Sequence, residues 1–223
     1  MPDMSSKLRS EGQKVQRSFR EIMKNVVIAG VPRSGKSLLA HRLSERLHYS
    51  HFPLDAIVST LGKVFPEHGI SHYEKDQVKM CNSFKPFLFE LLRHLEYEDI
   101  NFIADTYHIK PADLLDFPSL KKYKVIFLGY PSVSAQDKCI AIRRFACAGD
   151  WTDELSDEQL ESLVQRYIEE SKLLQESCEK TDFRFVDTSQ DFTGILDKIC
   201  DEIVQSLKDS VPILRRYAAS EGD

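Results

Sequence analysis

Short apolar runs alternate along the chain with longer stretches in which apolar residues recur every three or four positions. The runs at 25–29 (NVVIA), 100–104 (INFIA) and 123–129 (YKVIFLG) predict strands, and weaker ones fall at 50–54 and 183–186. Helical spacing covers 36–47, 76–96 and 134–147. Further on, Leu160, Leu163, Val164, Tyr167, Ile168 and Leu174 make one stripe, and Phe192, Ile195, Leu196, Ile199, Ile203, Val204 and Leu207 make another. Ser156 and Gln159 match a capping box at the head of the first stripe. Pro86 predicts a break within 76–96, because proline lacks the N–H that an interior helical position needs. Strands separated by helices pair in parallel through right-handed crossovers. The expectation is one α/β domain over 25–208, with a basic arm at 1–24 and a tail at 209–223.

Composition narrows the class. At 223 residues with 42% hydrophobic positions, the chain has the length of one such domain and the apolar mass for a real core. A net charge of −5 argues against a general nucleic-acid or membrane-surface binder, since both require a basic field. No apolar run approaches the roughly 18–20 residues of a membrane span, and the N-terminus lacks the apolar stretch of a secretory leader. Five cysteines (Cys81, Cys139, Cys147, Cys178 and Cys200) form no C-x-x-C pair, so a reducing, cytoplasmic setting is expected. The arm carries six basic residues against three acidic ones, with a loose stripe of Leu8, Val15, Phe19, Ile22 and Met23. It reads as a solvated helix or a contact with a second copy of the chain.

The strongest chemical signal is Gly30-Val31-Pro32-Arg33-Ser34-Gly35-Lys36-Ser37, which fits G-x-x-x-x-G-K-[ST] with a strand before it and a helix after it. The glycines let the backbone curl so that its N–H groups face a phosphate chain, and the helix adds its positive end. In this chemistry Lys36 bridges the β- and γ-phosphates and the Ser37 hydroxyl ligates Mg²⁺. The nucleotide-binding stretch is therefore expected to run from Gly30 to Leu38. There is no N-K-x-D base-reading motif and no LSGGQ-like signature, and the chain is short for a motor module with its own lid domain.

What is left is the branch of compact P-loop kinases, and the chain resembles the nucleoside-monophosphate-kinase-like family, which includes adenylate, shikimate and zeta-toxin-type kinases. The P-loop carries the resemblance, which spans roughly 25 to 207. It implies a three-layer fold with a five-stranded parallel sheet in the order 2-3-1-4-5, and a helical lid at about 134–166. Asp55 stands 18 residues after Ser37, where shikimate and zeta-type kinases place a carboxylate on the acceptor hydroxyl. It is also a good helix N-cap. Asp105 closes the apolar run at 102–104 and is a candidate Mg²⁺ ligand, or a turn cap. Adenylate kinases carry D-G-F-P-R there; Asp105-Thr106-Tyr107-His108 departs from it, which argues against a nucleoside monophosphate acceptor.

Arg143, Arg144 and Arg166 flank an acidic stretch (Asp150, Asp153, Glu154, Asp157, Glu158, Glu161) and match the family's lid arginines, or else pair with those acids. Neighbouring helical residues diverge by about 100°, so one of Arg143 and Arg144 at most is expected to face the phosphates. Residues 187–190 would wrap the adenine, or cap the closing helix, and Trp151 sits in the lid as clamp or anchor. The implied activity is ATP- and Mg²⁺-dependent phosphoryl transfer to a small-molecule acceptor. The alternatives are a nucleotide-sugar kinase of the zeta type, or an ATP-driven switch acting on a protein partner.

Overall fold

The computed structural model describes residues 25–72, 77–98, 100–117, 119–146 and 149–220; the arm at 1–24 and Cys147 lie outside the described residues. The chain runs β1 (Asn25–Gly30), α1 (Lys36–Leu47), β2 (Ser50–Pro53), α2 (Leu54–Val64), α3 (Gln77–Tyr97), β3 (Phe102–Thr106) and a one-turn α4 (Pro111–Leu114). It continues through β4 (Tyr123–Gly129), α5 (Ala135–Phe145), α6 (Asp157–Thr181), β5 (Arg184–Asp187) and α7 (Phe192–Ser220). Short 3₁₀ turns lie at Pro66–His68, Leu120–Lys122 and Trp151–Glu154. The five strands are all parallel, in the order β2-β3-β1-β4-β5. This is the expected three-layer P-loop kinase architecture.

Both faces of the sheet are covered, so β1 is buried at every position rather than alternating. Val26 and Ile28 point to one side, joining Leu39 and Leu43 of α1 and Leu196, Ile199 and Ile203 of α7. Val27 and Ala29 point to the other, where Val58 of α2 and Met80, Phe84, Leu88 and Leu92 of α3 close the layer. A third cluster joins Val31 and Tyr130 to Ile142 of α5 and to Leu160, Val164 and Ile168 of α6. It seats the α5–α6 segment against the edge of the P-loop.

Several boundaries depart from the sequence expectation. Helix α3 runs unbroken through Pro86. Its buried stripe of Met80, Phe84, Leu88 and Leu92 contributes about 1.5–3 kcal/mol per side chain, enough to outweigh the roughly 3 kcal/mol cost of an interior proline. Strand β3 is shifted two residues later than expected, because Asp105 and Thr106 pair with Ile28 and Ala29. Helix α7 continues to Ser220, through most of the stretch assigned to the tail. The helix after β2 starts with Pro53 at its N-cap, which places Asp55 inside its first turn rather than in the capping position. Cys81, Cys139, Cys178 and Cys200 are free thiols, and no helix among the described residues is long and apolar enough to cross a membrane.

Candidate active site

The loop between β1 and α1 is held open from within. Gly30 has φ 134°, and a Cβ there would lie 2.0 Å from the Leu128 carbonyl oxygen; only glycine lets β1 leave the sheet this close to β4. Gly35 has φ 98° and stands at the N-cap of α1 with no side chain to cap it. No acidic residue occupies the first turn of α1 and no side chain caps it, so nothing there offsets the positive end of the helix. Arg33 also has positive φ, 64°, an uncommon geometry for a side-chain-bearing residue. Lys36 is buried, its ammonium donating to the Val31 carbonyl at 2.9 Å. Burial lowers its pKa, while the carboxylates of Asp55 and Asp105 act to raise it, so this cation lies within the field of both acids.

Asp105 is nearly fully buried at the end of β3, and each of its oxygens has a partner. Oδ2 accepts the Ser37 hydroxyl at 2.7 Å, and Oδ1 meets Nε2 of His51 at 2.6 Å. The turn-cap alternative for Asp105 is therefore not what the fold uses. A serine hydroxyl beside a buried carboxylate is a hard-oxygen donor set, which suits Mg²⁺. No cluster of three or more His, Cys, Asp or Glu able to hold a metal exists among the described residues.

Asp55 faces the same region from α2. Its Oδ1 accepts the Tyr107 N–H at 3.2 Å and the Thr106 hydroxyl at 3.4 Å. These bonds tie the head of α2 to the end of β3 and leave the carboxylate partly exposed. Behind it, His108 is buried, its Nε2 2.8 Å from Nδ1 of His72, whose own Nε2 meets the Asp55 carbonyl at 2.9 Å. A carbonyl only accepts, so His72 donates through Nε2. His108 Nδ1 is left buried without a partner. Burial, with added repulsion from His72 and Lys36, pushes the His108 pKa down to about 3, so this ring is neutral and inside the fold, not a solvated loop histidine.

A cavity of about 870 Å³ opens beside the P-loop, walled by Lys36, Ser37, Asp55, Lys138, Trp151 and Phe192 among others. Lys138 was not anticipated from the sequence. Its ammonium donates to the Arg33 carbonyl at 2.8 Å and sits 4.1 Å from the centre of the Tyr130 ring. Burial, and then the nearby charge of Arg33, lowers its pKa to about 8. The Arg33 guanidinium pairs with Asp150, bonds Thr152 at 3.3 Å and stacks on Trp151 at 5.3 Å. The P-loop thus grips the 3₁₀ turn of the α5–α6 segment, and Trp151 anchors that turn while half exposed at the cavity wall.

The three arginines assigned to the lid lie elsewhere in this conformation. Arg143 donates to the carbonyls of Thr152 (2.8 Å) and Leu155 (2.7 Å) and pairs with Asp157, so it braces the turn. Arg144 is exposed against Phe145, and Arg166 lies 3.8 Å from Glu170, also largely exposed. None of the three is part of the cavity wall. At the far end, Thr188 bonds back to the Gly129 carbonyl and, with Ser189, lines the cavity, while the N–H of Gly194 goes to Asp191. Asp191 therefore does the capping that 187–190 could have done.

No protein-family model matches the chain, and no curated protein does. Among solved structures it is similar to a shikimate kinase from Bacteroides thetaiotaomicron, with a TM-score of 0.53 at 14% identity, covering 83% of this chain and 98% of that one. It is also similar to a possible kinase from Chloroflexus aurantiacus J-10-fl, with a TM-score of 0.51 at 12% identity, covering 84% and 98%. Identity this low speaks for the fold alone. Strand order, layering and these likenesses agree that the chain has the three-layer α/β fold of the P-loop small-molecule kinases.

Proposed function

We propose that the chain is an ATP- and Mg²⁺-dependent phosphotransferase acting on a small hydroxyl-bearing acceptor. The observation that carries this reading is the convergence at the head of α1: Lys36 lies in the field of Asp55 and Asp105, and Ser37 is bonded to Asp105. In the reaction, the α1 N-terminus and loop N–H groups bind the phosphate chain, and Lys36 exchanges its bond to the Val31 carbonyl for the transferred group. Ser37 and Asp105 would hold Mg²⁺, which draws charge from the β- and γ-oxygens when bound. Asp55 orients the acceptor hydroxyl and takes its proton as the new O–P bond forms and the bond to the leaving diphosphate breaks. Lys138 is the buried cation that can serve the phosphates where the arginines are engaged elsewhere.

Calorimetry with ATP and Mg²⁺ tests the reading. Lys36→Ala should keep the wild-type melting behaviour, since its ammonium serves the loop rather than the core, yet lose most nucleotide affinity. Wild-type affinity in Lys36→Ala, or no binding by the wild type, would overturn it.

A further inference from the structure

His51 enters the site from a direction the P-loop motif does not announce. In the sheet register Pro53 is opposite Asp105 and His51 is opposite Ile103. Side chains alternate along a strand, so His51 and Pro53 share a face, as Ile103 and Asp105 do. His51 therefore leans along the sheet to Asp105 and reaches Oδ1 at 2.6 Å. An ionised carboxylate only accepts, so the ring donates through Nε2. From the opposite side Ser37 donates to Oδ2 at 2.7 Å. One carboxylate, 3% exposed, is thus held at both oxygens by two different elements, β2 and α1, and cannot turn about its terminal bond without losing a partner.

We infer that His51 is a positioning residue for the nucleotide-bound metal: by occupying Oδ1 it fixes the plane of Asp105 and presents Oδ2, beside the Ser37 hydroxyl, to the ion. This rests on the phosphotransferase reading and deepens it. A carboxylate that must bind a metal in the octahedral geometry of Mg²⁺ gains from a second hydrogen bond that fixes its orientation, and losing such a bond typically weakens metal binding by about 10–100-fold. A buried carboxylate also needs every donor it can find, so His51 serves folding as well. The two roles separate experimentally, because a purely structural loss weakens nucleotide binding with and without metal alike.

The test is ADP binding by calorimetry, with Mg²⁺ titrated from chelated to millimolar, on the wild-type chain, His51→Ala, His51→Asn and His51→Gln. Glutamine keeps a donor at similar reach, whereas asparagine is too short. His51→Ala and His51→Asn should need about 10–100-fold more Mg²⁺ to tighten ADP, with metal-free ADP affinity unchanged, and His51→Gln should recover much of the loss. An unchanged Mg²⁺ titration in His51→Ala, or equal weakening with and without metal, overturns the inference. If His51→Ala fails to fold, His51→Gln against His51→Asn carries the same contrast, and equal Mg²⁺ responses in those two overturn it. A wild type whose ADP binding ignores Mg²⁺ overturns the phosphotransferase reading together with it.

Discussion

Replacing His108 by glutamine should remove a large acid sensitivity from the fold. The side chain is 2% exposed, packed against Phe84 and Tyr107, and its pKa falls to about 3 from an unfolded value of 6.5. The folded ring therefore stays neutral down to about pH 3, whereas the unfolded ring takes up a proton below 6.5. The unfolded state binds more protons across that window, so the stability is whole above pH 6.5 and is lost as pH falls toward 3. The loss is about 2 kcal/mol at pH 5 and approaches about 5 kcal/mol near pH 3. Urea titrations at pH 7.5 and pH 5 should show the wild type losing about 2 kcal/mol more than His108→Gln, or roughly 4–8 °C of melting temperature for a chain of this size. Parallel losses in the two proteins would refute the claim that His108 is buried neutral.

Two further perturbations follow from the cavity wall. Arg33→Ala removes the Asp150 pair and the Trp151 stack, together about 1–2 kcal/mol, so the docked turn should detach about 5–30-fold more often. Trp151 is the only tryptophan, so its emission should shift to the red and cleavage at 146–155 should quicken; unchanged emission and cleavage would contradict the grip. Lys138, at a pKa of about 8, is half neutral at pH 8, and phosphates bound beside it should recharge it. ADP binding at pH 8, measured in two buffers of different ionisation heat, should take up as much as about half a proton more in the wild type than in Lys138→Met, and equal uptake would refute this placement.

The P-loop and the alternation of strands and helices were readable because they are local: glycine spacing, apolar periodicity and a capping box all act within a few residues. Asp105 was readable as a carboxylate ending an apolar run. What tertiary packing decides was not. His51 lies in a weak, half-polar edge strand, and only the β2–β3 register brings it onto Asp105. Lys138 reads as a polar position on an amphipathic helix, but α5 packs that face on Tyr130 and the P-loop, so the ammonium is buried. The lid arginines were assigned by charge and position in the chain, which carry no information on the bonds Arg143 makes to the carbonyls of Thr152 and Leu155. Pro86 was overruled by the stripe that α3 buries.

Phosphoryl transfer itself is the most direct measurement. With ATP labelled by ¹⁸O in its γ-phosphoryl and Mg²⁺ present, the wild type incubated with a cellular metabolite pool should place the label on a small hydroxyl compound seen by mass spectrometry. That compound, added alone, should stimulate ATP turnover, and Lys36→Ala should transfer none. Label found only in inorganic phosphate whatever acceptor is supplied, or transfer that survives in Lys36→Ala, would contradict the proposed kinase.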